Sequence, residues 1–411
     1  MEKTKYINGP INAVRLEGDI YGKRKIIYLF MDHHSDVAFQ TQCQTYLSTD
    51  FTTYISKELG SIDNKHIDFF FEMGKTFLGF PSLNYRQRYI DEIAKFFKSV
   101  IRFDKNKNIG TTYGKHIRFH WIDIRDYFKS QINVYIDTAL KLLQEARCAN
   151  TASSQTFDNI FDQLNMLNTR LIYIVSFFDK KLVDPTAVET ITGIIDGGTI
   201  KSDYGDHINA TIQKIMMKIN TKYTHKESYN KILPLYKKVI QNIEEIIRQI
   251  DSTLIIITEY IKYSKLYTKE GTHLNRLNVT KSGTLTYSSD STYKIETIDK
   301  IFITTHKLDY DLTMTFALLV DLYFLRRFID KDYIDHAITY TGIAHSTQYI
   351  FMLVKNLNMT ITHASYVKTD LDKANKLIRA KKEHDTDVDK LFFPPTLIQC
   401  TDLSSFPEKF D

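Results

Sequence analysis

Short apolar runs alternate with longer amphipathic segments in the first part of the chain, and this alternation predicts strands that are each followed by a helix. Residues 25–30 have the near-continuous apolar character of a strand that is buried on both faces. Residues 67–71 form a second such run, and residues 116–122 alternate toward a third. Helices are predicted over residues 40–59 and 86–100. Three strand-and-helix units of this kind predict a mostly parallel sheet that is flanked by helices.

The same α/β pattern returns near the end of the chain. Residues 336–340 and 359–363 are strand-like, and a turn and a helix over residues 348–357 lie between them. At the start of the chain, residues 11–16 precede the first buried strand across a glycine-containing loop, which predicts a hairpin. The proline-containing residues 392–400 predict an extended tail that lies across the surface.

Between these two parts the pattern changes to helical periodicity. Residues 232–263 are the clearest example, whereas residues 271–292, which are rich in Thr, Ser, Asn and Gly, predict a loop or a short hairpin. A chain of 411 residues is long for one hydrophobic core. We therefore predict three segments: the first half of an α/β core at residues 1–130, a long all-helical insertion or cap at residues 131–330, and the second half of the core with the tail at residues 331–411.

The composition argues against nucleic acids and membranes as binding partners. The chain has 54 Lys and Arg against 49 Asp and Glu, a net charge of +5, and these charges are scattered instead of gathered on one basic face. The aromatic residues fall mostly at core spacings, so the sequence argues against nucleic-acid binding. No apolar run approaches the roughly 18 residues of a membrane-spanning helix, and the N-terminus lacks the apolar core of a signal peptide. We expect a soluble protein without membrane contact.

The cysteines and the common catalytic motifs exclude further classes. Cys43, Cys148 and Cys400 stand far apart, with an odd total and no CxxC, which argues against a disulfide framework and against a zinc knuckle. The simplest compartment is therefore a reducing one. The sequence also contains no GxxxxGK[ST], no GxGxxG and no GxSxG, so neither nucleotide-dependent chemistry nor a serine hydrolase is predicted.

A dense polar cluster follows the first buried strand. It reads Asp32-His33-His34-Ser35-Asp36, and because core packing requires no such cluster, we predict a functional site there. Asp-His-His resembles the motif of the DHH phosphoesterases, but the short upstream segment supplies none of their earlier metal-ligand motifs. Asp32, His34 and Asp36 also fit the DxHxD of arginase-like enzymes, but the second aspartate-rich motif of that class is absent from the sequence. We set both assignments aside.

A third pattern joins the two halves of the predicted core. Gly342-Ile-Ala-His345 is a GxxH turn after a strand, and Met31-Asp-His-His34 is the same turn with methionine in the glycine position. Glu72 ends a strand between them. This arrangement resembles the superfamily that includes erythromycin esterases, TraB/PrgY proteins, Tiki proteases and ChaN-like proteins. It also resembles an uncharacterised family of giant DNA viruses. The chain is rich in Lys, Asn and Ile, and this amino-acid usage fits an AT-rich viral genome.

The resemblance covers the two halves of the α/β core and leaves the insertion outside it. It implies a core in which His34, Glu72 and His345 face one pocket, with the insertion covering that pocket. Arg125, after the third strand, occupies a place where related proteins also keep a basic residue. Further polar residues are then expected to surround the pocket: Asp32, His33, Asp36, Asp123 and Ser346.

These residue types suit hydrolysis by either of two routes. Two neutral imidazoles and one carboxylate form a reasonable ligand set for a divalent metal such as Mn, Zn or Fe, so His34, Glu72 and His345 are candidate metal ligands as well as candidate catalytic residues. Without a metal, a histidine beside a carboxylate can take a proton from water. Arg125 could then hold a substrate carboxylate or a developing oxyanion. Both routes cleave an ester or amide bond in an unidentified small molecule or peptide.

Each of these residues also has a structural alternative. Ser346, next to His345, could cap the helix that begins there, and Glu72 could form an ordinary buried ion pair with Arg125. Met31 would be strained if the turn needs φ > 0 at that position. A second function therefore stays open, namely a non-catalytic viral interaction or virion-associated protein that binds a viral or host protein through the helical insertion. In either case the resemblance predicts the host cytoplasm or the virion as the location.

Overall fold

A computed structural model describes residues 5–34, 41–60, 65–73, 89–102, 110–111, 116–149, 154–178, 210–221, 223–270, 276–279, 285–288, 290–381 and 388–410. The strands, in chain order, are β1 (Tyr6–Asn8), β2 (Asn12–Ile20), β3 (Lys23–Asp32), β4 (Thr41–Gln42), β5 (Thr49–Asp50), β6 (Ile67–Phe71), β7 (Ile101–Arg102), β8 (Gly110–Thr111), β9 (Ile117–Trp121), β10 (Arg276–Val279), β11 (Leu285–Ser288), β12 (His336–Gly342), β13 (Thr360–Ala364) and β14 (Ile398–Asp402). The helices are α1 (Phe51–Gly60), α2 (Tyr89–Val100), α3 (Arg125–Phe128), α4 (Val134–Ala149), α5 (Ser154–Phe178), α6 (Ala210–Thr221), α7 (Lys226–Glu270), α8 (Asp290–Asp330), α9 (Ile343–Lys355), α10 (Leu371–Ala380) and α11 (Asp389–Phe392). A π-helix, Lys129–Asn133, joins α3 to α4.

The central sheet has six strands in the order β13-β2-β3-β12-β6-β9. Strands β3, β12, β6 and β9 run parallel to one another, whereas β2 is antiparallel to both of its neighbours. The predicted α/β fold with a mostly parallel sheet is therefore confirmed. Each of the six strands predicted from the apolar runs lies in this sheet, although the observed ends differ by a few residues.

The hairpin that opens the sheet has the predicted form. Its turn consists of Tyr21 and Gly22, whose φ angles are 54° and 75°. Two successive residues in the left-handed region match the right-handed twist of the flanking strands. The pairing then extends from Ile20 opposite Lys23 to Asn12 opposite Met31. This long pairing carries β3 through the core to its end at Asp32.

Helices cover both faces of the sheet. Phe69 on β6 packs against Phe97 of α2, with ring centroids 4.7 Å apart. The next residue, Phe70, packs against Phe324 of α8 at 4.9 Å. Successive residues of a strand point to opposite faces, so neighbouring phenylalanines serve the two cores. This explains why β6 contains three successive phenylalanines, Phe69–Phe71, instead of alternating apolar and polar residues.

The first helix is shorter than predicted. Helix α1 begins at Phe51, and residues 41–42 and 49–50 form the short strands β4 and β5 instead of helix. The Thr, Ser, Gln and Asp residues of this segment compete with helical hydrogen bonds, and Asp50 is a favoured residue type directly before a helix. The second predicted helix corresponds to α2, and residues 86–88 of that prediction lie outside the described residues.

The C-terminal tail is part of a second sheet, with strand order β4-β14-β1-β5. The predicted extended conformation holds for β14, whereas Asp389–Phe392 is the short helix α11. A disulfide joins Cys43 to Cys400, and Cys148 is free and exposed. The sequence argues against a disulfide framework and does not predict this single bond, because spacing along the sequence cannot show that sheet pairing brings two distant cysteines together. The prediction of a reducing compartment loses its basis because of this bond.

Contacts divide the chain into two compact units. The first, Met1–Ile124 with Tyr223–Leu235 and Leu319–Asp411, contains both of the sheets described above. The second, Arg125–Lys222 with Tyr236–Leu318, is made of helices, and the described residues add to it the hairpin of β10 and β11. The end of α8, from Leu319 onward, thus belongs to the α/β unit. Among the described residues, no helix combines the length and the apolar character that crossing a membrane requires.

Candidate functional site

Three neighbouring parallel strands deliver polar side chains to the same edge of the central sheet. His34 follows β3, Glu72 follows β6, and His345 lies in the first turn of α9, directly after β12. Strand β12 is paired with both β3 and β6, so the three carboxyl ends lie side by side. Such an edge is where α/β sheets collect their chemistry.

Glu72 lies at the centre of this group. Its Oε2 accepts a hydrogen bond of 2.6 Å from the backbone N–H of Gly342 and lies 3.4 Å from Nε2 of His34. Its other oxygen, Oε1, is 3.1 Å from Nε2 of His345. The carboxylate also lies at the N-terminus of α9, where the helix dipole favours a negative charge. We call His34, Glu72 and His345 the His–Glu–His cluster.

An aspartate holds the far side of each imidazole. Nδ1 of His34 is 2.6 Å from Oδ2 of Asp32, and Nδ1 of His345 is 2.6 Å from Oδ1 of Asp321. Both aspartates are buried. The polar groups therefore form one continuous series of hydrogen-bonding contacts, Asp32–His34–Glu72–His345–Asp321, in which each imidazole has a carboxylate on both of its nitrogens.

The backbone of His34 adopts a left-handed conformation with φ of 57°. This region is uncommon for residues other than glycine, although histidine enters it more readily than most. Asp32 stabilises the turn, because its Oδ2 also accepts a hydrogen bond of 2.8 Å from the backbone N–H of His34. The other oxygen of Asp32 accepts a 3.1 Å hydrogen bond from the hydroxyl of Tyr340. One carboxylate thus fixes both the backbone and the ring of His34.

Position 342 requires glycine because a side chain there would collide with His34. The φ of Gly342 is −56°, which any residue can adopt. A Cβ atom at this position would lie only 2.6 Å from Nε2 of His34, so the imidazole occupies the volume that a side chain would fill. The sheet register pairs Gly342 with Asp32 and not with Met31, and Met31 is an ordinary buried strand residue without positive φ. The expected strain at Met31 is therefore absent.

The surrounding charges set the pKa values of the His–Glu–His cluster. Burial by itself would lower the pKa of His34, but hydrogen bonds to Asp32 and Glu72 outweigh it and raise this pKa to about 9. Burial would also lower the pKa of His345, but the carboxylates of Glu72 and Asp321 outweigh it and raise this pKa well above the usual value. Burial would raise the pKa of Glu72, but the two imidazoles hold it well below the usual range. At neutral pH, Glu72 is therefore ionised and both imidazoles are positively charged.

The two histidines differ in their access to solvent. The side chain of His34 is 30% exposed, whereas that of His345 is only 7% exposed. Glu72 is buried to a similar extent as His345. His34 is therefore the member of the His–Glu–His cluster that is most accessible to solvent.

Comparison with known proteins shows which family the chain belongs to. The model of the family of unknown function DUF5847 matches residues 5–411. The chain belongs to this family. The uncharacterized protein R706 of Acanthamoeba polyphaga mimivirus is 31% identical over 422 residues, which cover 99% of this chain and 97% of the relative. The uncharacterized protein R161 of the same virus is 29% identical over 443 residues, with 98% of each chain covered.

These relatives agree with the predicted resemblance to a giant-virus family. They do not test the resemblance to erythromycin esterases and Tiki proteases, which stays a prediction. No solved structure matches the chain.

The other predicted site residues lie in different surroundings. Arg125 is the first residue of α3 and belongs to the second unit, and Asp123 lies in the loop before it. The ring of His33 packs against Phe393 at 5.8 Å. Ser346 does not cap α9, because Gly342 is the N-cap residue and the Ser346 hydroxyl bonds that of Thr341 at 2.7 Å. Asp36 lies outside the described residues.

Metal binding by the His–Glu–His cluster would require its present contacts to change. The two Nε2 atoms lie against opposite oxygens of Glu72, so these donor atoms satisfy one another. In the part of the chain that the structure describes, no group of three or more His, Cys, Asp or Glu side chains could hold a metal ion. The predicted use of His34, Glu72 and His345 as ligands of Mn, Zn or Fe stays a prediction, and no step below depends on it.

Asp321 is the site residue that the sequence analysis missed. The sequence does indicate that this residue is unusual, because Asp321 is a carboxylate in the otherwise apolar run Leu319-Val-Asp-Leu-Tyr-Phe-Leu325. A charged residue that interrupts an apolar helix face is costly unless it has a partner. The sequence does not show that the partner is His345, because Asp321 falls in the segment predicted as the insertion.

Proposed function

We propose that the chain is a hydrolase that cleaves an ester or amide bond with water activated at His34. The observation that carries the proposal is the position of this imidazole. It is partly exposed, it is held by Asp32 through Nδ1, and its Nε2 faces the buried Glu72. A general base is usually an imidazole that a carboxylate orients through one nitrogen, as Asp32 orients His34 here. For Nε2 to accept a proton, water takes the place of its 3.4 Å contact with Glu72.

The residues have distinct roles in this reaction. In its neutral form, His34 takes a proton from water through Nε2 while the water oxygen bonds to the carbonyl carbon. The imidazolium that forms is stabilised by Asp32 and Glu72. It then gives the proton to the leaving oxygen or nitrogen as the bond to the carbonyl carbon breaks, so that the acid and the alcohol or amine are released and His34 is neutral again.

The charge state limits the rate at neutral pH. Because the pKa of His34 is about 9, only about one molecule in a hundred carries the neutral imidazole at pH 7. The same shift makes the neutral imidazole a stronger base, which partly offsets its low population. The proposal therefore implies a reaction that accelerates as the pH rises toward 9.

The resemblance to erythromycin esterases and Tiki proteases supports the reaction class, since both are hydrolases of the superfamily named above. The predicted cap formed by residues 131–330 and the predicted oxyanion role of Arg125 remain predictions. The substrate is either a small-molecule ester or amide, or a peptide.

A screen with chromogenic probes tests the proposal. The purified chain is assayed with a panel of p-nitrophenyl esters and peptide p-nitroanilides, beside His34→Gln. The matched control is His225→Gln, because His225 also contacts an aspartate, Asp332, at 2.7 Å but lies outside the cluster. We expect turnover in the wild type and in His225→Gln, and a loss of at least about 100-fold in His34→Gln.

Two results of this screen would contradict the proposal. Equal turnover in His34→Gln and the wild type would show that the activity arises elsewhere. No turnover on any probe between pH 7 and 9.5 would favour the non-catalytic viral interaction protein. Metal analysis of the same samples decides the predicted metal, because a stoichiometric divalent ion that is lost in His34→Gln would make His34 a metal ligand instead of the base.

A further inference from the structure

The His–Glu–His cluster contains one histidine that cannot reach solvent, and the proposed reaction gives it no proton to transfer. His345 is buried, and its Nε2 lies 3.1 Å from Oε1 of Glu72. Its only described contact on the other nitrogen is the 2.6 Å contact with Asp321. A buried imidazole with a carboxylate on each nitrogen is held in one orientation and one protonation pattern.

We infer that Asp321 is a positioning residue of the site, which holds the His345 ring so that its Nε2–H fixes the Glu72 carboxylate opposite His34. The inference rests on the proposed function for its kinetic consequence and on geometry alone for the positioning. Asp321 acts through His345 and Glu72 and does not touch the reacting atoms.

The helix that carries Asp321 is itself anchored in the α/β unit. The ammonium group of the buried Lys25 donates hydrogen bonds of 2.8 Å to the carbonyl oxygens of Phe328, Lys331 and Ile334, which close the end of α8. Asp330 accepts hydrogen bonds from the backbone N–H groups of Thr224 and His225. The bond to Phe328 satisfies one free carbonyl at the end of α8, and the bonds to Asp330 fix the last residue of the helix. Asp321 is therefore carried by a helix whose end is anchored in the α/β unit.

The two aspartates have complementary positions around the cluster. Asp32 comes from the end of β3 and orients the exposed His34, and Asp321 comes from α8 and orients the buried His345. Glu72 is then fixed from both sides, and from a third direction by the N–H of Gly342. When Nε2 of His34 carries no proton, the N–H groups of His345 and Gly342 still hold the Glu72 carboxylate, so the site keeps its geometry through the reaction.

The test compares Asp321→Asn with Asp68→Asn. Asp68 is a matched control because it is also buried and lies 2.6 Å from an imidazole nitrogen, that of His120, at another part of the same sheet. Two properties are measured in each variant. They are the ¹⁵N and ¹H signals of the His345 ring and the separate values of kcat and KM on the best chromogenic probe.

We expect Asp321→Asn to change the His345 ring signals and to lower kcat by at least about tenfold, with KM within about twofold of the wild type. Asp68→Asn should leave the His345 signals unchanged. If Asp321→Asn does not fold, the double variant Asp321→Asn with His345→Gln, which replaces the pair by two neutral amides, should match His345→Gln alone in kcat.

Two outcomes would overturn the inference. In the first, neither the His345 ring signals nor kcat respond to Asp321→Asn. In the second, the double variant has a clearly lower kcat than His345→Gln. Failure of the proposed function looks different. In that case the wild type turns over no probe, while Asp321→Asn still changes the His345 ring signals, so that the positioning holds and the hydrolase does not.

Discussion

The imidazole of His34 occupies the space that a side chain on Gly342 would need. A Cβ atom on Gly342 would lie 2.6 Å from Nε2 of His34 and 3.3 Å from Oε2 of Glu72. The backbone of Gly342 does not require glycine, since its φ is −56°. Glycine is therefore needed here because the imidazole and the carboxylate must approach the backbone closely. The close approach also lets the N–H of Gly342 reach Glu72.

We expect Gly342→Ala to push His34 away from Glu72. Overpacking of this kind costs about 1–3 kcal/mol of stability, and the displaced base should reduce turnover by at least about tenfold. The urea midpoint and kcat are the measurements. Gly60→Ala is the control, because a Cβ atom there meets nothing within 4 Å. Unchanged stability and turnover in Gly342→Ala would show that the described packing at this edge is incorrect.

The raised pKa of His34 makes the stability of the fold depend on pH. Its pKa is about 9 in the folded chain against 6.5 for the free side chain, so the folded state binds the proton more tightly. The resulting stabilisation is fully present below about pH 6.5 and is lost as the pH rises through about 9, with an upper limit of roughly 3 kcal/mol. Urea unfolding at pH 6 and pH 9.5 measures it. The loss should be smaller in His34→Gln, and an equal loss in both proteins would exclude His34 as its source.

Glu72 supplies part of the charge that holds the protons on both imidazoles. Glu72→Gln keeps the shape but removes the charge, so the pKa of His34 should fall toward 6.5 and the stability should drop by about 1–3 kcal/mol. An NMR titration of the His34 ring measures the first effect. Glu245→Gln serves as the control, because Glu245 is exposed and its hydrogen bonds with Arg248 and Gln249 lie within one helix. A His34 pKa that stays near 9 in Glu72→Gln would contradict the described cluster.

The disulfide between Cys43 and Cys400 ties the segment after His34 to the last strand. Because it closes a loop across most of the chain, its removal should cost about 2–4 kcal/mol. Cys43→Ser, or the wild type in dithiothreitol, should therefore unfold at lower urea. Cys148→Ser should not, since Cys148 is free and exposed. Equal urea midpoints with and without reductant would show that the bond does not form in solution.

The central sheet could be predicted because its signal is local. Residues 25–30 and 67–71 are short, mostly apolar runs of a length that favours a buried strand, and both are strands in the structure. The predicted helix over residues 40–59 begins too early because Thr49–Asp50 pair with β1 and Thr41–Gln42 pair with β14, which comes from the other end of the chain. A local pattern does not contain that partner.

The site could be predicted in part for the same reason. His34, Glu72 and His345 follow strand ends, and parallel strands end at one edge, so their proximity follows from the predicted topology. The contact of Asp321 with His345 depends on how α8 packs against the sheet, which helical periodicity does not encode. The cysteine pair was missed on similar grounds, since its two members are 357 residues apart in the sequence.

The most direct test of the central claim is the rate of hydrolysis of the best chromogenic ester as a function of pH in the wild type and in His34→Gln. If His34 is the base, kcat/KM should rise about tenfold per pH unit from pH 6 and level off near pH 9, where its imidazole loses the proton. The uncatalysed rate, which also rises with hydroxide concentration, is subtracted at each pH, and His34→Gln should then show little remaining activity. A wild-type profile that is flat across this range, or one that His34→Gln reproduces, would contradict the assignment of His34 as the base.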